Sequence, residues 1–378
     1  MYSHVLKCFA VTDTTRVFEV DILNRSTDEL EVKWIDIQDV YSLEGIGEED
    51  YKILSNWVNR SNQYDQPWFK GEWRHNFEKR VKNVVGSTNV EFKQIRSWER
   101  SSLFKLFIGA GDYYFKAVPD VFSHEPLVSD YLNKYHQGLV PTVIYVNPDN
   151  NEYIMEELKG GLLGYSNDIN HWRDALTNLA AIQKQSINQI SELRKMGCPT
   201  YSVSQTTQGL LEVSLGELKE VGNFSNNTYS NLISTLSTVY KFCNELETSK
   251  IPYALEHGDY FGGNIIVQGD QPIIYDWSDC TISHPFLSAT VIVDELEETF
   301  SSNIGECLLE EYLSEWNDFD TLENLRYEFN LVKRIAPLYY LTVYQQFIFP
   351  HLRDNWDQKQ IIDDYVNQWL STIDEVNE

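Results

Sequence analysis

Residues 257–277, HGDYFGGNIIVQGDQPIIYDW, constrain the fold more than any other stretch of the chain. Two short apolar runs, NIIV and PIIYDW, flank the polar turn QGDQ, which specifies an antiparallel hairpin with strands about 4.8 Å apart. In such a hairpin the residue that opens the first strand lies beside the residue that closes the second. Asn264 and Asp276 hold those two positions. A carboxamide oxygen and a carboxylate are hard ligands of the kind Mg²⁺ accepts, with water and phosphate oxygens completing its shell. Asp259 lies on the loop that enters the hairpin, and glycines at 258, 262 and 263 let that loop turn back over the same spot. A carboxylate beside a metal-bound phosphate can accept a hydrogen bond from an attacking hydroxyl. Taken singly, each residue has a plainer reading as a turn or cap residue. The whole string, His-Gly-Asp, then Asn, then an apolar hairpin closed by Asp-Trp, carries the chemistry.

A chain of 378 residues has room for two or three domains and a sizeable core. Hydrophobic residues at 42% and charged residues at 23% specify a globular protein rather than a disordered one. There are 57 acidic and 30 basic side chains, a net charge of −27, which argues against nucleic acid or an anionic membrane as partner. The excess fits a solvated acidic surface, or a cleft that attracts a cationic small molecule. The N-terminal stretch lacks a basic region followed by an apolar run, so no signal peptide is expected. Nor does any window reach the ~18 apolar residues of a membrane span. Cys8, Cys198, Cys243, Cys280 and Cys307 are scattered without metal-ligand spacing, which suits a reducing cytoplasmic setting.

Alternation in VFEVDI and ELEVKWIDI predicts strands within the first ~45 residues. GIGEED (45–50) reads as a linker. EWRHNFEKRVKNVV reads as a helix with Trp73, Phe77, Val81 and Val84 on one face. VEFKQI, SLFKLFI and YYFKAV follow as strands, with GAGD (109–112) turning between the last two. A helix through EPLVSDYLNKYH and a hairpin of TVIYV and NEYIMEEL around NPDN make residues 90–158 β-β-β-α-β-β. Beyond Gly160 and Gly161 the periodicity is helical. Trp172, Ala175, Leu176, Leu179 and Ile182 share one face, and SNLISTLSTVYKFCNEL and most of 288–376 also read as helices.

HGDYFGGNIIV followed by IIYDW resembles the catalytic segment of the aminoglycoside phosphotransferase family, which has the protein-kinase-like fold. The resemblance implies an α+β, two-lobed architecture: a small antiparallel-sheet N-lobe, a large helical C-lobe, and here a β-rich N-terminal extension. The implied boundaries are 1–80 for the extension, 81–158 for the N-lobe and 159–378 for the C-lobe. It assigns catalysis to Asp259 and Mg²⁺ to Asn264 and Asp276. It makes Lys116, on the third strand of the lobe, the cation for the nucleotide phosphates, with Glu125 as its partner. Residues Met155, Glu156 and Leu158 fall where the strand leaving the N-lobe meets the nucleotide base. Two departures stand out. The lip between the first two strands, SWERSS (97–102), has no glycine, which leaves Ser101 and Ser102 as its phosphate-facing candidates. Where relatives often carry an aspartate after the Asp-Trp segment, HPFLSA offers Ser288.

The expected activity is Mg²⁺-dependent transfer of the γ-phosphoryl group of ATP or GTP to a hydroxyl of a small molecule. Aspartate titrates near ~3.9 in model peptides, so Asp259 is expected to orient the hydroxyl and take its proton late. An aminoglycoside or other amino sugar fits the charge, and choline-like, fructosamine-like and sugar acceptors fit nearly as well. Asp294, Glu295, Glu297 and Glu298 could meet an amine, or form a solvated helix face. Tyr339, Tyr340 and Tyr344 could stack on a sugar, or belong to the core. A nucleotide-binding regulatory module on the same scaffold is the reading from another class.

Overall fold

The computed structural model describes residues 3–11, 16–22, 39, 42, 45–60, 66–70, 72–109, 111–213, 215–222, 224–352 and 358–377. The chain divides into two compact units, residues 1–119 with 152–154, and residues 120–151 with 155–378.

The first unit opens with the antiparallel pair β1 (Ser3–Val11) and β2 (Arg16–Ile22), the latter holding VFEVDI. The second alternating run, ELEVKWIDI, lies outside the described residues. The GIGEED stretch is a linker only in its first half. Glu48, Glu49 and Asp50 form the first turn of α1 (Glu48–Arg60), where their carboxylates complement the helix dipole. Helix α2 (Trp73–Val85) buries Phe77 and Val81, whereas Val84 sits in its last turn and is 40% exposed. Strands β3 (Val90–Ser97), β4 (Ser102–Ile108) and β5 (Gly111–Ala117) pair antiparallel in chain order. Phe77 lies 4.7 Å from Phe104 and 4.8 Å from Phe115, ring centre to ring centre, so one aromatic cluster fastens α2 to β4 and β5.

Helix α3 (Glu125–Tyr135) and strands β6 (Val143–Asn147) and β7 (Glu152–Glu156) complete the expected β-β-β-α-β-β order. The resulting sheet has the strand order β3-β4-β5-β7-β6. Glu152 is almost fully buried, and Arg80 of α2 grips both its oxygens, Nε at 2.8 Å and Nη2 at 2.7 Å. This two-pronged geometry offsets the cost of burying the carboxylate.

The second unit is mostly helical. After β8 (Gly161–Leu162) come α4 (Ile169–Ser186), α5 (Ile190–Lys195), α6 (Val203–Val213), α7 (Leu215–Gly222) and α8 (Asn226–Leu246). Strands β9 (Ala254–Glu256), β10 (Ile265–Gln268), β11 (Gln271–Ile274) and β12 (Thr281–Ser283) follow. Helices α9 (Phe286–Thr299), α10 (Ser302–Ser314), α11 (Leu322–Val343) and α12 (Gln358–Asn377) close the chain. All five residues expected on the inner face of α4 are buried. Asp168 starts that helix by accepting a 2.9 Å bond from the Asn170 N–H.

The periodicity did not reveal β8, β9 or β12, which are two or three residues long. The first pairs with β10, placing Gly161 opposite Val267, and the other two pair with each other. At Gly160 a Cβ would lie 2.0 Å from the Val267 carbonyl oxygen, so the chain passes here only as glycine. Among the described residues no helix is long and apolar enough to cross a membrane.

Replacing Arg80 by Ala should destabilise the protein by about 3–5 kcal/mol, because the buried Glu152 carboxylate loses both of its bonds to the guanidinium. Replacing Arg80 and Glu152 together by apolar residues should recover most of that loss. Chemical denaturation of the three proteins checks it, and equal loss in the single and double variants would contradict it.

Candidate active site

The site is built on the β10–β11 hairpin. Ile265 pairs with Ile274 and Gln268 with Gln271, which leaves Gly269 and Asp270 as a two-residue loop. One further bond closes the open end, from the Tyr275 N–H to the Asn264 carbonyl at 3.1 Å. The residue opposite Asn264 is therefore Tyr275, and Asp276 lies one position beyond the expected register. Asp276 has φ of +62°, a left-handed backbone uncommon for a residue with a side chain. The chain turns there instead of extending the strand. Such local strain is the kind found at functional sites. The Ser278 hydroxyl donates to Asp276 Oδ1 at 2.9 Å.

The loop into the hairpin folds onto Asn264. The side-chain amide of Asn264 donates to the Asp259 carbonyl and to Asp259 Oδ2, both at 2.9 Å. Two acceptors on one side fix the amide's orientation, with nitrogen toward Asp259 and Oδ1 turned the other way. Asp259 and Asn264 are thus brought together as expected, and Asp276 follows the residue paired with Asn264. Among the described residues no cluster of three His, Cys, Asp or Glu side chains could hold a metal. A carboxamide oxygen and one carboxylate suit an ion such as Mg²⁺, which keeps most of its shell for water and phosphate.

Beneath this rim the loop is held from inside. The His257 Nε2 lies 3.0 Å from the Tyr275 carbonyl, which only accepts, so Nε2 carries the proton. Nδ1 is then bare and accepts the Asp259 N–H at 3.3 Å. Gly258 has φ of +84°, and a Cβ there would sit 2.1 Å from the Asp279 carbonyl oxygen. The Tyr260 hydroxyl donates to the Ala175 carbonyl of α4 at 2.8 Å, anchoring the residue after Asp259.

Two carboxylates that sequence reasoning did not single out as loop anchors complete the frame. Glu256, at the end of β9, is fully buried and accepts from the Gly258 N–H at 2.9 Å. It also accepts from the hydroxyls of Tyr340 at 2.9 Å, Thr281 at 3.1 Å and Ser288 at 3.3 Å. Burial pushes its pKa from 4.5 up to about 7, against those hydrogen bonds. Its sequence signal was a lone carboxylate in the apolar run YALE, immediately before the motif. Glu295 of α9 accepts the Gly262 N–H at 2.6 Å, and its half-buried carboxyl is also raised by desolvation. Nearby, Asp294 pairs with Lys333 at 2.5 Å. Tyr339 and Tyr340 are buried, so they belong to the core.

The remaining expected site residues divide between the units. In the first, Lys116 is 8% exposed, on β5 between buried Phe115 and Ala117. The lip of residues 98–101 is pinned by its own side chains. The Trp98 indole donates to Ser101 Oγ at 2.8 Å, and the Trp68 indole to the Trp98 carbonyl at 2.9 Å. Ser101 and Ser102 are both buried. In the second unit Glu125 is fully buried in the first turn of α3. The neighbouring His124 is pushed down to about 4 by burial, despite the nearby Asp279 charge and hydrogen bonds at Ser278 and Cys280. Met155 and Leu158 are half-buried and Glu156 is exposed; the Glu156 N–H is donated to the Thr142 carbonyl at 2.9 Å.

A small antiparallel sheet followed by a large helical region, with this hairpin in the helical part, matches the kinase-like fold of solved structures. The solved structures it resembles include an ethanolamine kinase from Plasmodium vivax, at TM-score 0.55 and 16% identity, covering 88% of this chain and 97% of that one. A choline kinase from Cryptosporidium parvum Iowa II aligns at TM-score 0.58 and 13% identity, over 80% of this chain and 96% of that one. A thermostable mutant of the aminoglycoside phosphotransferase APH(4)-Ia, in a ternary complex with AMP-PNP and hygromycin B, aligns at TM-score 0.53 and 13% identity. There the coverage is 79% of this chain and 98% of that one. No family model and no curated protein matches the sequence, so the likeness is one of fold.

The raised carboxyl of Glu256 sets a pH dependence. The folded chain keeps that proton up to about pH 7, whereas an unfolded chain loses it near 4.5. Stability therefore falls as pH rises through this window, and the full cost, roughly 3 kcal/mol, is present above it. Glu256→Gln removes the titration. Between pH 5 and pH 8 the stability difference should shift in the variant's favour by up to about 3 kcal/mol. Denaturation at both pH values measures it, and a difference that does not change with pH contradicts the assignment.

Proposed function

We propose that the protein transfers the γ-phosphoryl group of ATP or GTP to a hydroxyl group of a small molecule. The observation that carries this reading is the Asp259 carboxylate held 2.9 Å from the Asn264 carboxamide, on a hairpin whose closing bond leaves Asp276 next in line. Asn264 Oδ1 and the Asp276 carboxylate are the proposed Mg²⁺ ligands. The ion, when bound, would neutralise the nucleotide phosphates. Lys116 is the proposed cation for those phosphates. It is 8% exposed on β5, between buried Phe115 and Ala117. The backbone near Glu156 to Leu158 is proposed to meet the nucleotide base, with Met155 lining its pocket. The Glu156 N–H is already committed to Thr142, so its carbonyl and its neighbours carry that role.

Asp259 accepts a hydrogen bond from the acceptor hydroxyl and aligns its oxygen with the γ-phosphorus. As the new O–P bond forms, the bond from the γ-phosphorus to the bridging oxygen breaks, and its electron pair leaves with the nucleoside diphosphate. The hydroxyl proton passes late to Asp259. The similarity of fold to small-molecule kinases supports this class of reaction, and the nucleotide complexes among them support a nucleotide donor. Glu295 and Asp294 are engaged with Gly262 and Lys333, so they give a cationic acceptor no special support over a neutral one.

Mg·ATP or Mg·GTP should raise the melting temperature, and one pool in a screen of hydroxyl compounds should be phosphorylated. Asp259→Ala should lower turnover at least ~100-fold while leaving the nucleotide-induced shift intact. Asp276→Ala should abolish the Mg²⁺-dependent part of the shift. Near wild-type turnover by Asp259→Ala would refute the assignment.

A further inference from the structure

Glu256 is a fully buried carboxylate next to His257, and the reaction assigned above makes no direct use of it. Its surroundings explain what it does. Three consecutive N–H groups lead to Asp259, and each has its own acceptor. The His257 N–H goes to Ser288 Oγ at 2.9 Å, the Gly258 N–H to Glu256 Oε1 at 2.9 Å, and the Asp259 N–H to His257 Nδ1 at 3.3 Å. Ser288 in turn donates to Glu256 Oε1 at 3.3 Å. Two of the three amides therefore end on one carboxylate oxygen, directly or through one hydroxyl. The Tyr340 hydroxyl at 2.9 Å meets that same oxygen, and Thr281 at 3.1 Å holds the other. Gly258 passes so close to the Asp279 carbonyl that a Cβ there would lie 2.1 Å from its oxygen, so the position at the centre of this anchor takes only glycine. A buried polar group of this kind adds little to stability compared with an apolar side chain.

We propose that Glu256 is a positioning residue for phosphoryl transfer: it fixes the backbone of residues 257 and 258 so that Asp259 is aimed at the acceptor hydroxyl. The proposal rests on the assignment of Asp259 given above. Glu256 touches no reacting atom, since it lies in the interior while Asp259 is exposed. Its effect belongs in kcat and in the order of the loop, not in the affinity for nucleotide. Ser288 Oγ already sits within reach of both the His257 N–H and Glu256. An aspartate at 288 would bring a carboxylate to the same cluster from α9.

The test compares wild type, Glu256→Gln, Glu256→Ala, and Glu256→Ala combined with Ser288→Asp, all as full chains. Turnover is measured with Mg·ATP or Mg·GTP and the best acceptor from the hydroxyl pools, and with water as acceptor. Amide hydrogen exchange is measured over residues 254–264 in the same proteins. Glu256→Ala should lower kcat at least ~30-fold, with the KM for nucleotide changed less than ~2-fold. It should speed exchange in the loop at least ~10-fold and leave the helices of the second unit unchanged. Glu256→Gln, which keeps an acceptor oxygen, should lose less than ~5-fold in kcat. Ser288→Asp should restore at least ~10-fold of what Glu256→Ala lost. A folded Glu256→Ala protein with wild-type kcat and wild-type loop exchange overturns the proposal. So does a loss that Ser288→Asp does not restore and that accompanies faster exchange throughout the unit. If wild type transfers no phosphoryl group, the functional reading fails by itself. Loop exchange then still decides whether Glu256 holds the backbone of 257 and 258.

Discussion

The side-chain amide of Asn264 donates to both the carbonyl and the carboxylate of Asp259, and the rest of the polar site depends on that pair of bonds. They close the loop of residues 259–264 on itself. The backbone carbonyl of the same residue receives the Tyr275 N–H and so ends the hairpin. One residue thus joins the loop that bears the carboxylate to the ribbon that delivers Asp276. With its nitrogen committed to Asp259, the amide presents its oxygen elsewhere, and an oxygen is what a hard cation needs.

Much of this arrangement was legible from the chain alone. The hairpin showed because four-residue apolar runs around QGDQ have few other ways to fold, and the helix α4 face showed because five apolar residues repeat at helical spacing. The pattern left the register open by one residue, and the structure sets Tyr275 opposite Asn264 with Asp276 next. A left-handed residue at the end of a strand leaves no mark in hydrophobic pattern, which reports burial and not φ. Strands of two or three residues, such as β8, β9 and β12, are too short for alternation to register. Ser288 stood out in the sequence as a serine where a carboxylate was expected. Its neighbour Glu256, on a strand more than thirty residues earlier, places a carboxylate against its hydroxyl. Only folding brings the two together, through the pairing of β9 with β12 and the start of α9.

The frame around the site buries polar groups. Glu256 is held near the edge of ionisation by burial, and His124 is kept neutral at ordinary pH for the same reason. His124 meets the Ser278–Cys280 backbone, which ties the start of α3 to the segment that follows Asp276. In the first unit, Trp98, Ser101 and Trp68 use two indole N–H bonds to stiffen a lip that has no glycine. These bonds restrict backbone geometry at chosen points, which is where positioning chemistry needs it.

The most direct measurement is a crystal structure of the chain with Mg²⁺ and a non-hydrolysable ATP or GTP analogue. The account predicts a metal ion about 2.0–2.1 Å from Asn264 Oδ1 and from an Asp276 carboxylate oxygen, with phosphate oxygens in its remaining shell and the Asn264 nitrogen still turned to Asp259. A nucleotide bound with its metal on other side chains, or with the Asn264 amide reversed, would contradict it.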